Sequence, residues 1–422
     1  MKIKISPKIL LENQEVTMPP SKSIAHRVII CASLANKESR IDNIEYSDDI
    51  NVTIAAMRKM GAKIQTFDKY LIIKGIDNQI NFDSKEVFVN QSASTLRFLI
   101  PLFALNNRNT IFIGKKDLFK RPIEVYKKIF NQQGLMFKLE ENYLSIHGVL
   151  QPDIFHVVGN VSSQFISGLL FALPLLNKDS KIIIDGKVES SPYINMTIAI
   201  LKEYNIDIKI NENEIYIKGN QKYIAKDYQV EGDYSQFAFF AVLGALNNGI
   251  KCLNLKHNSV QGDKVIVDIL KKLNVKVTEI ENGYLIEKSN IGSGSFDISN
   301  AIDLAPILCV LGMYSEGTIY LTNAHRLEYK ESNRKENMVL ELSKLKADII
   351  STDDSISIQG RQIYDCNEEL DPHNDHRIFM ALVIAALTLE RNVIIKDAQC
   401  MNKSFPTFIQ KLKSIGANIE YL

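Results

Sequence analysis

Six apolar helical runs, each opened by a short polar or charged stretch, recur about every 70 residues along this chain. The first is Lys22-Ser-Ile-Ala-His-Arg27, which leads into VIICASLA after the stiff pair Pro19-Pro20. The others open at Ser92 (before FLIPLFAL), Ser162 (before FISGLLFALPLL), Asp233 (before QFAFFAVLGAL), Asp303 (before LAPILCVLGM) and Asp375 (before IFMALVIAALTL). A helix that is apolar all round has to be buried. Its first turn still leaves backbone N–H groups unpaired, and its dipole makes that end positive. One such start is ordinary capping. Six at one period are an architecture, and anion chemistry belongs where those ends meet.

Between the buried runs lies a second repeated element: an amphipathic helix, a stop residue and two short alternating strands. Its first copy is DDINVTIAAMRKMGAKIQTFDKYLIIKG; its last, FPTFIQKLKSIGANIEYL, ends after one strand. The stops are Gly61, Gly134, Asn205, Asn274, Lys346 and Gly416, at helix exits that often need φ > 0. Each unit therefore reads strand, buried helix, strand, amphipathic helix, hairpin. Units of this size predict α/β (α+β) layers rather than a thin solenoid, arranged as two domains of three units. The sixth unit lacks its last strand, and the N-terminal strand KIKIS is expected to complete it. The expected domains are residues 1–17 with 231–422, and residues 18–230. The chain would cross between them near 14–20 and 226–233.

At 422 residues the chain is long enough for two or three domains with real cores. A net charge of +1 gives no global field to attract nucleic acid or an anionic membrane, so anion binding must come from local clusters. The five cysteines (Cys31, Cys252, Cys309, Cys366, Cys400) form no CxxC pair, and they read as reduced, buried thiols. The first residues, MKIKISPKILLENQE, lack the apolar core of a signal peptide, and the apolar helices are too short to span a bilayer. The expectation is a cytoplasmic protein, acting as a monomer, with no membrane or nucleic-acid partner.

The helix starts and adjoining loops collect basic residues: Lys22, Arg27, Arg97, Arg121, Arg326, Lys330, Arg334, Arg377 and Lys403. Hydroxyl and amide groups join them at Ser23, Ser162, Ser163, Gln164 and Ser190, with acids at Asp303, Glu331 and Asp375. Arginine forks grip carboxylates and phosphates with paired bonds, and lysine adds a point charge. So many cations around a few acids point to a site for more than one anion with acid–base catalysis. Pro19-Pro-Ser-Lys-Ser-Ile-Ala-His-Arg27, Arg121-Pro122, Ser162-Ser-Gln164, Ser190-Ser-Pro-Tyr193, Gln261-Gly-Asp263, Lys330-Glu-Ser-Asn-Arg334, Asn374-Asp-His-Arg377 and Lys403-Ser-Phe-Pro406 occur in that order. This ordered set resembles the 3-phosphoshikimate 1-carboxyvinyltransferase (EPSP synthase) family of enolpyruvyl transferases, over essentially the whole chain.

The resemblance implies a two-domain inside-out α/β barrel of βαβαββ units, with the active site in the inter-domain cleft. It implies that Lys22, Ser23, Arg27, Ser162, Ser163, Gln164, Ser190, Asp303, Arg326 and Lys330 hold shikimate 3-phosphate. It assigns phosphoenolpyruvate to Lys22, Ala93, Arg121, Gln164, Arg334, Arg377 and Lys403. The implied reaction adds the shikimate 5-hydroxyl to C2 of the enolpyruvate while C3 takes a proton, and the tetrahedral intermediate then loses phosphate. Asp303 is the candidate base and Glu331 the candidate proton donor, with Lys22 and Lys403 sharing proton transfer. No metal or organic cofactor is required.

Three positions depart from the family pattern. Ala93 stands where many members carry glycine, and its methyl would crowd glyphosate, an analogue filling the phosphoenolpyruvate site, so weak glyphosate sensitivity is expected. Asn333 stands where members have Asp, which removes a charge beside Arg334. Gln91 and Ser92 replace the usual residues of their loop. Simpler readings exist for several sites. Asp233, Asp303 and Asp375, like Ser162 and Ser163, could be helix caps; Lys330, Glu331 and Arg334 could be a solvated charge face; His26 reads as a core histidine. His373, Asp375 and His376 lack a further ligand at metal-binding spacing. The related enolpyruvyl transfer to UDP-N-acetylglucosamine uses a loop cysteine that GKKDLFKRPIEVY lacks. A non-catalytic nucleic-acid or phosphosugar binder would need a basic surface.

Overall fold

Helix and strand alternate along the chain as the apolar periodicity requires. The computed structural model describes residues 1–7, 11–12, 14–82, 86–361 and 363–422. Its α-helices are α1 (Lys22–Leu34), α2 (Asp48–Met60), α3 (Ala93–Phe103), α4 (Lys116–Phe119), α5 (Glu124–Gln132), α6 (Ser163–Ala172), α7 (Ser191–Glu203), α8 (Tyr234–Leu246), α9 (Ile266–Lys272), α10 (Ala305–Met313), α11 (Arg334–Lys344), α12 (His376–Ala386) and α13 (Phe408–Ser414). The chain divides into two compact units, Pro20–Val230 and Met1–Pro19 with Glu231–Leu422.

In the Pro20–Val230 unit, α1, α3 and α6 are the apolar helices, and nearly every residue of each is buried. Three four-stranded sheets surround them. In the second, strand Glu86–Asn90 runs parallel to Thr110–Gly114, which pairs antiparallel with the hairpin Met136–Leu139/Tyr143–His147. The third repeats this with Ile154–Val158 and Ser180–Asp185. The first draws its leading strand, Tyr228–Gln229, from the far end of the unit. Gly168 lets α6 lie close on α3. A Cβ there would stand 2.2 Å from the Tyr126 hydroxyl and 2.3 Å from the Arg97 carbonyl oxygen. Overpacking of that kind costs about 1–3 kcal/mol.

The other unit repeats the plan around α8, α10 and α12, and every residue of α10 and α12 is buried. Its first sheet begins with Gln14–Thr17, parallel to Ile250–Leu253. The strands preceding α1 and α8 thus pair in the opposite unit from those helices. In the sixth sheet the N-terminal strand Ile3–Ser6 lies antiparallel between Val393–Ile395 and Asn418–Tyr421. That is the place the second hairpin strand takes in the other five. All six stop residues adopt positive φ, including Asn205, Asn274 and Lys346 at 63–64°. Among the described residues no helix is long and apolar enough to cross a membrane. All five cysteines are free and buried.

Candidate functional site

The polar helix starts form a polar cluster in each unit. In the Pro20–Val230 unit, Ser21 caps α1, so Lys22 and Ser23 occupy its first turn. Lys22 Nζ donates to Asp49 Oδ2 at 2.8 Å. One turn on, His26 Nδ1 lies 2.7 Å from Thr53 Oγ1, and Thr53 lies 2.7 Å from Thr95 Oγ1 on α3. Thr95 donates in turn to Ser92, the cap of α3. These contacts tie the starts of α1, α2 and α3 together. They place His26 in the core, held at Nδ1 by Thr53.

Arg27 is 2 % exposed. Its Nε donates to Thr197 Oγ1 at 2.8 Å, and its two terminal nitrogens donate to the Ser23 and Tyr193 carbonyls. Burial lowers its pKa to about 10. Ser190, buried, precedes α7 in a left-handed conformation at φ 57°, and its carbonyl accepts from the Tyr193 N–H. A non-glycine residue held there costs of order 1 kcal/mol or more and marks a constrained site. Arg97 donates to Gln164 Oε1 at 2.9 Å and to the Pro122 carbonyl next to Arg121. Gln164 Nε2 reaches Ser94 at 2.9 Å. Ser162 caps α6, and Ser163 is buried in its first turn. Ala93, also buried, is the first residue of α3. Arg97, absent from the implied ligand set, orients Gln164 across two helices.

In the other unit the carboxylates are the organisers. Asp233 and Asp375 are caps of α8 and α12. Asp303 is not a cap. It sits in a 3₁₀ turn, Ile302–Leu304, before α10, which frees its side chain. Its Oδ1 accepts from Lys330 Nζ at 3.0 Å and Arg334 at 2.8 Å, and its Oδ2 lies 3.2 Å from an Arg377 nitrogen. Burial alone would raise the Asp303 pKa; Arg377, Lys330 and Arg334 outweigh it and hold the group well below the carboxylate range. Burial lowers Lys330 to about 8 against the pull of Asp303. Arg326 donates to the Ser299 carbonyl, and its charge adds to the lowering of Lys330.

Arg334 is 1 % exposed and meets three carboxylates. Besides Asp303 it bonds Asp375 Oδ2 at 2.7 Å and Glu331 Oε2 at 2.7 Å. Burial opposes the charge, but Asp375, Glu331 and Asp303 raise its pKa above the ordinary value. Lys403 Nζ stands 4.0 Å from Glu331 Oε1. Lys330, Glu331 and Arg334 therefore form no solvated face. Asn333 serves as the cap of α11, accepting from the Glu336 N–H, so Arg334 is positioned without a charge at 333. Among the described residues no group of three or more His, Cys, Asp or Glu is arranged to hold a metal ion.

Sequence reasoning missed Asp49, and it singled out Asp263 only within the motif Gln261-Gly-Asp263, without a role. Asp49 looks like a first-turn acid of α2. The signal is its spacing: Lys22 and His26 are four apart, as are Asp49 and Thr53. Asp263 is buried and accepts from Ser235. Burial and the nearby Asp303 raise its pKa to about 6. Its folded value lies above the unfolded one, so native Asp263 binds more protons between about pH 4 and 6, and stability is lost as pH rises through that window. Asp263→Asn, which keeps an acceptor for Ser235, should stabilise the protein at neutral pH by on the order of 2 kcal/mol. The gain should vanish below about pH 4. Denaturant unfolding at both pH values measures it, and an unchanged midpoint at neutral pH would refute it.

The profile of EPSP synthase (3-phosphoshikimate 1-carboxyvinyltransferase) matches residues 11–412. The chain belongs to the EPSP synthase family. A 3-phosphoshikimate 1-carboxyvinyltransferase of Clostridium beijerinckii is 42 % identical over 414 residues, 95 % of each chain. One of Clostridioides difficile is 42 % identical over 419 residues, 96 % of each. Among solved structures, EPSP synthase from Acinetobacter baumannii has the same fold, with a TM-score of 0.83 at 24 % identity over 99 % of both chains. The two-domain inside-out barrel of the EPSP synthase family is thus the architecture of this chain.

Proposed function

We propose that this chain transfers the enolpyruvyl group of phosphoenolpyruvate to the 5-hydroxyl of shikimate 3-phosphate, releasing phosphate, with residues of both units taking part. The observation that carries this reading is the convergence of Lys330, Arg334 and Arg377 on Asp303 in a chain of the EPSP synthase family. Asp303, kept ionised, accepts the 5-hydroxyl proton as the oxygen bonds to C2. A carboxylate held so low is a weak base at equilibrium, but the hydroxyl becomes acidic as that bond forms, and transfer then is favourable. Glu331 gives a proton to C3, with Lys403 beside it. In the second step C3 returns a proton, the C–O bond to phosphate breaks and the enol ether forms. Arg334, Arg377, Lys403, Arg121, Gln164 and Lys22 hold phosphoenolpyruvate and stabilise the departing phosphate. Lys22, Ser23, Arg27, Ser162, Ser163, Gln164, Ser190, Arg326 and Lys330 hold shikimate 3-phosphate.

Five buried thiols suit a reducing, cytoplasmic setting, and the proposed ligands all lie on one chain, as a monomeric enzyme requires. The test is phosphate release from phosphoenolpyruvate with and without shikimate 3-phosphate. Release that depends on shikimate 3-phosphate is expected; binding without release would refute catalysis.

Ala93 is buried at the start of a capped helix, so its methyl cannot swing away from a ligand at that end. Weak glyphosate inhibition is the expected consequence. Ala93→Gly should lower the glyphosate inhibition constant by about tenfold or more, with a smaller change in KM for phosphoenolpyruvate. Equal inhibition of both forms would remove the steric argument.

A further inference from the structure

Glu341 is a fully buried carboxylate outside the polar cluster described above. It lies two turns beyond Arg334 on α11. Its oxygens accept from Lys344 Nζ at 2.8 and 2.9 Å, from the Asp371 backbone N–H at 2.9 Å and from His373 Nε2 at 3.0 Å. A carboxylate facing that ring nitrogen can only accept, so Nε2 carries the hydrogen. The segment it grips is strained: His373 and Asn374 are consecutive left-handed residues, at φ 51° and 57°. Two such residues persist only where their surroundings over-determine them. Asp371 Oδ1 takes the His373 N–H, and the Pro372 carbonyl takes the Asp375 N–H. The turn delivers Asp375 to its two tasks, capping α12 and holding Arg334, and Arg377 follows in the first turn. Helix α11 thus grips one loop twice, through Arg334 at Asp375 and through Glu341 at Asp371 and His373.

We infer that Glu341 and His373 are positioning residues that fix the Asp371–Asn374 turn, and through it aim Arg334 and Arg377 at the phosphoenolpyruvate anion. Neither touches substrate. This rests on the proposed function, which gives Arg334 and Arg377 that ligand. A loosened turn lets two guanidinium forks wander, which weakens anion binding more than it slows a bound reactant.

The experiment compares His373→Phe, His373→Gln and Glu341→Gln with the parent chain in steady-state phosphate release. His373→Phe removes the donor, and His373→Gln restores one. Glu341→Gln keeps an acceptor for Asp371 and loses the grip on Lys344 and His373. His373→Phe and Glu341→Gln should raise KM for phosphoenolpyruvate on the order of five- to tenfold, with kcat and KM for shikimate 3-phosphate moving much less. His373→Gln should recover most of the loss. A purely structural role would lower the unfolding midpoint without this split. Should Glu341→Gln fail to fold, the half-exposed His373 pair carries the test. An unchanged KM for phosphoenolpyruvate in His373→Phe, with the parent active, overturns the inference alone. A parent chain without release that depends on shikimate 3-phosphate overturns the functional reading and the inference with it.

Discussion

Asp303→Asn should lower kcat roughly a thousandfold, the middle of the range for removal of a general base. Shikimate 3-phosphate should bind it as well as, or more tightly than, the parent chain. The asymmetry follows from the charges around position 303. Lys330, Arg334 and Arg377 all contact the carboxylate, so its loss leaves three cations facing the site with less compensation. Their attraction for anionic substrates rises while the proton acceptor is gone. The Asn amide nitrogen would also meet the Arg377 guanidinium as donor against donor where Oδ2 now accepts. Stopped-flow phosphate release gives the rate, and isothermal titration with shikimate 3-phosphate gives the affinity. Retention of more than about a tenth of kcat would exclude Asp303 as the base.

Position 303 also marks the line between what was legible in the chain and what was not. The repeat was legible because each unit writes the same physics twice: a polar start before an all-apolar run, then an amphipathic helix closed by a residue that tolerates φ > 0. The missing strand of the sixth unit could be supplied by KIKIS because an unpaired sheet position and an unassigned strand are complementary deficits. Which sheet Gln14–Thr17 and Tyr228–Gln229 would join was not legible, since alternation specifies a strand but not its neighbour. Asp233, Asp303 and Asp375 look alike as helix-start acids. Only the 3₁₀ turn at Ile302–Leu304 withdraws Asp303 from capping and makes it a ligand for three cations. Asp49 was hidden for a related reason, because an acid in a first turn already has an adequate explanation in the helix dipole. Glu341 and Lys344 look like a surface pair three residues apart, and no local pattern shows that the carboxylate is sealed under a loop 30 to 32 residues downstream.

Arg334→Ala should destabilise the protein by about 3–5 kcal/mol, because it leaves partners of a buried charge uncompensated. Arg334 joins Asp375, Glu331 and Asp303 through one guanidinium, and Asp375 is itself fully buried. Without the cation the carboxylates repel one another in a poorly solvated place. Arg334 is one of the cations that hold the Asp303 carboxyl low, so without it the Asp303 pKa would rise, and the stability deficit should be largest at neutral pH, where the unfolded chain keeps that carboxylate ionised. It should shrink as the pH falls toward the carboxylate range and the native cluster takes up protons. Arg334→Lys keeps one positive charge but not the fork, so it should lose the paired bonds to Asp375 and recover only part of the stability. Both variants should bind phosphoenolpyruvate poorly. Denaturant midpoints at about pH 7.5 and about pH 5 read the charge effect directly, since its sign is set by proton uptake in the native state. A deficit in Arg334→Ala that is equal at the two values would mean that lost packing, not unpaired carboxylates, is what the arginine prevents.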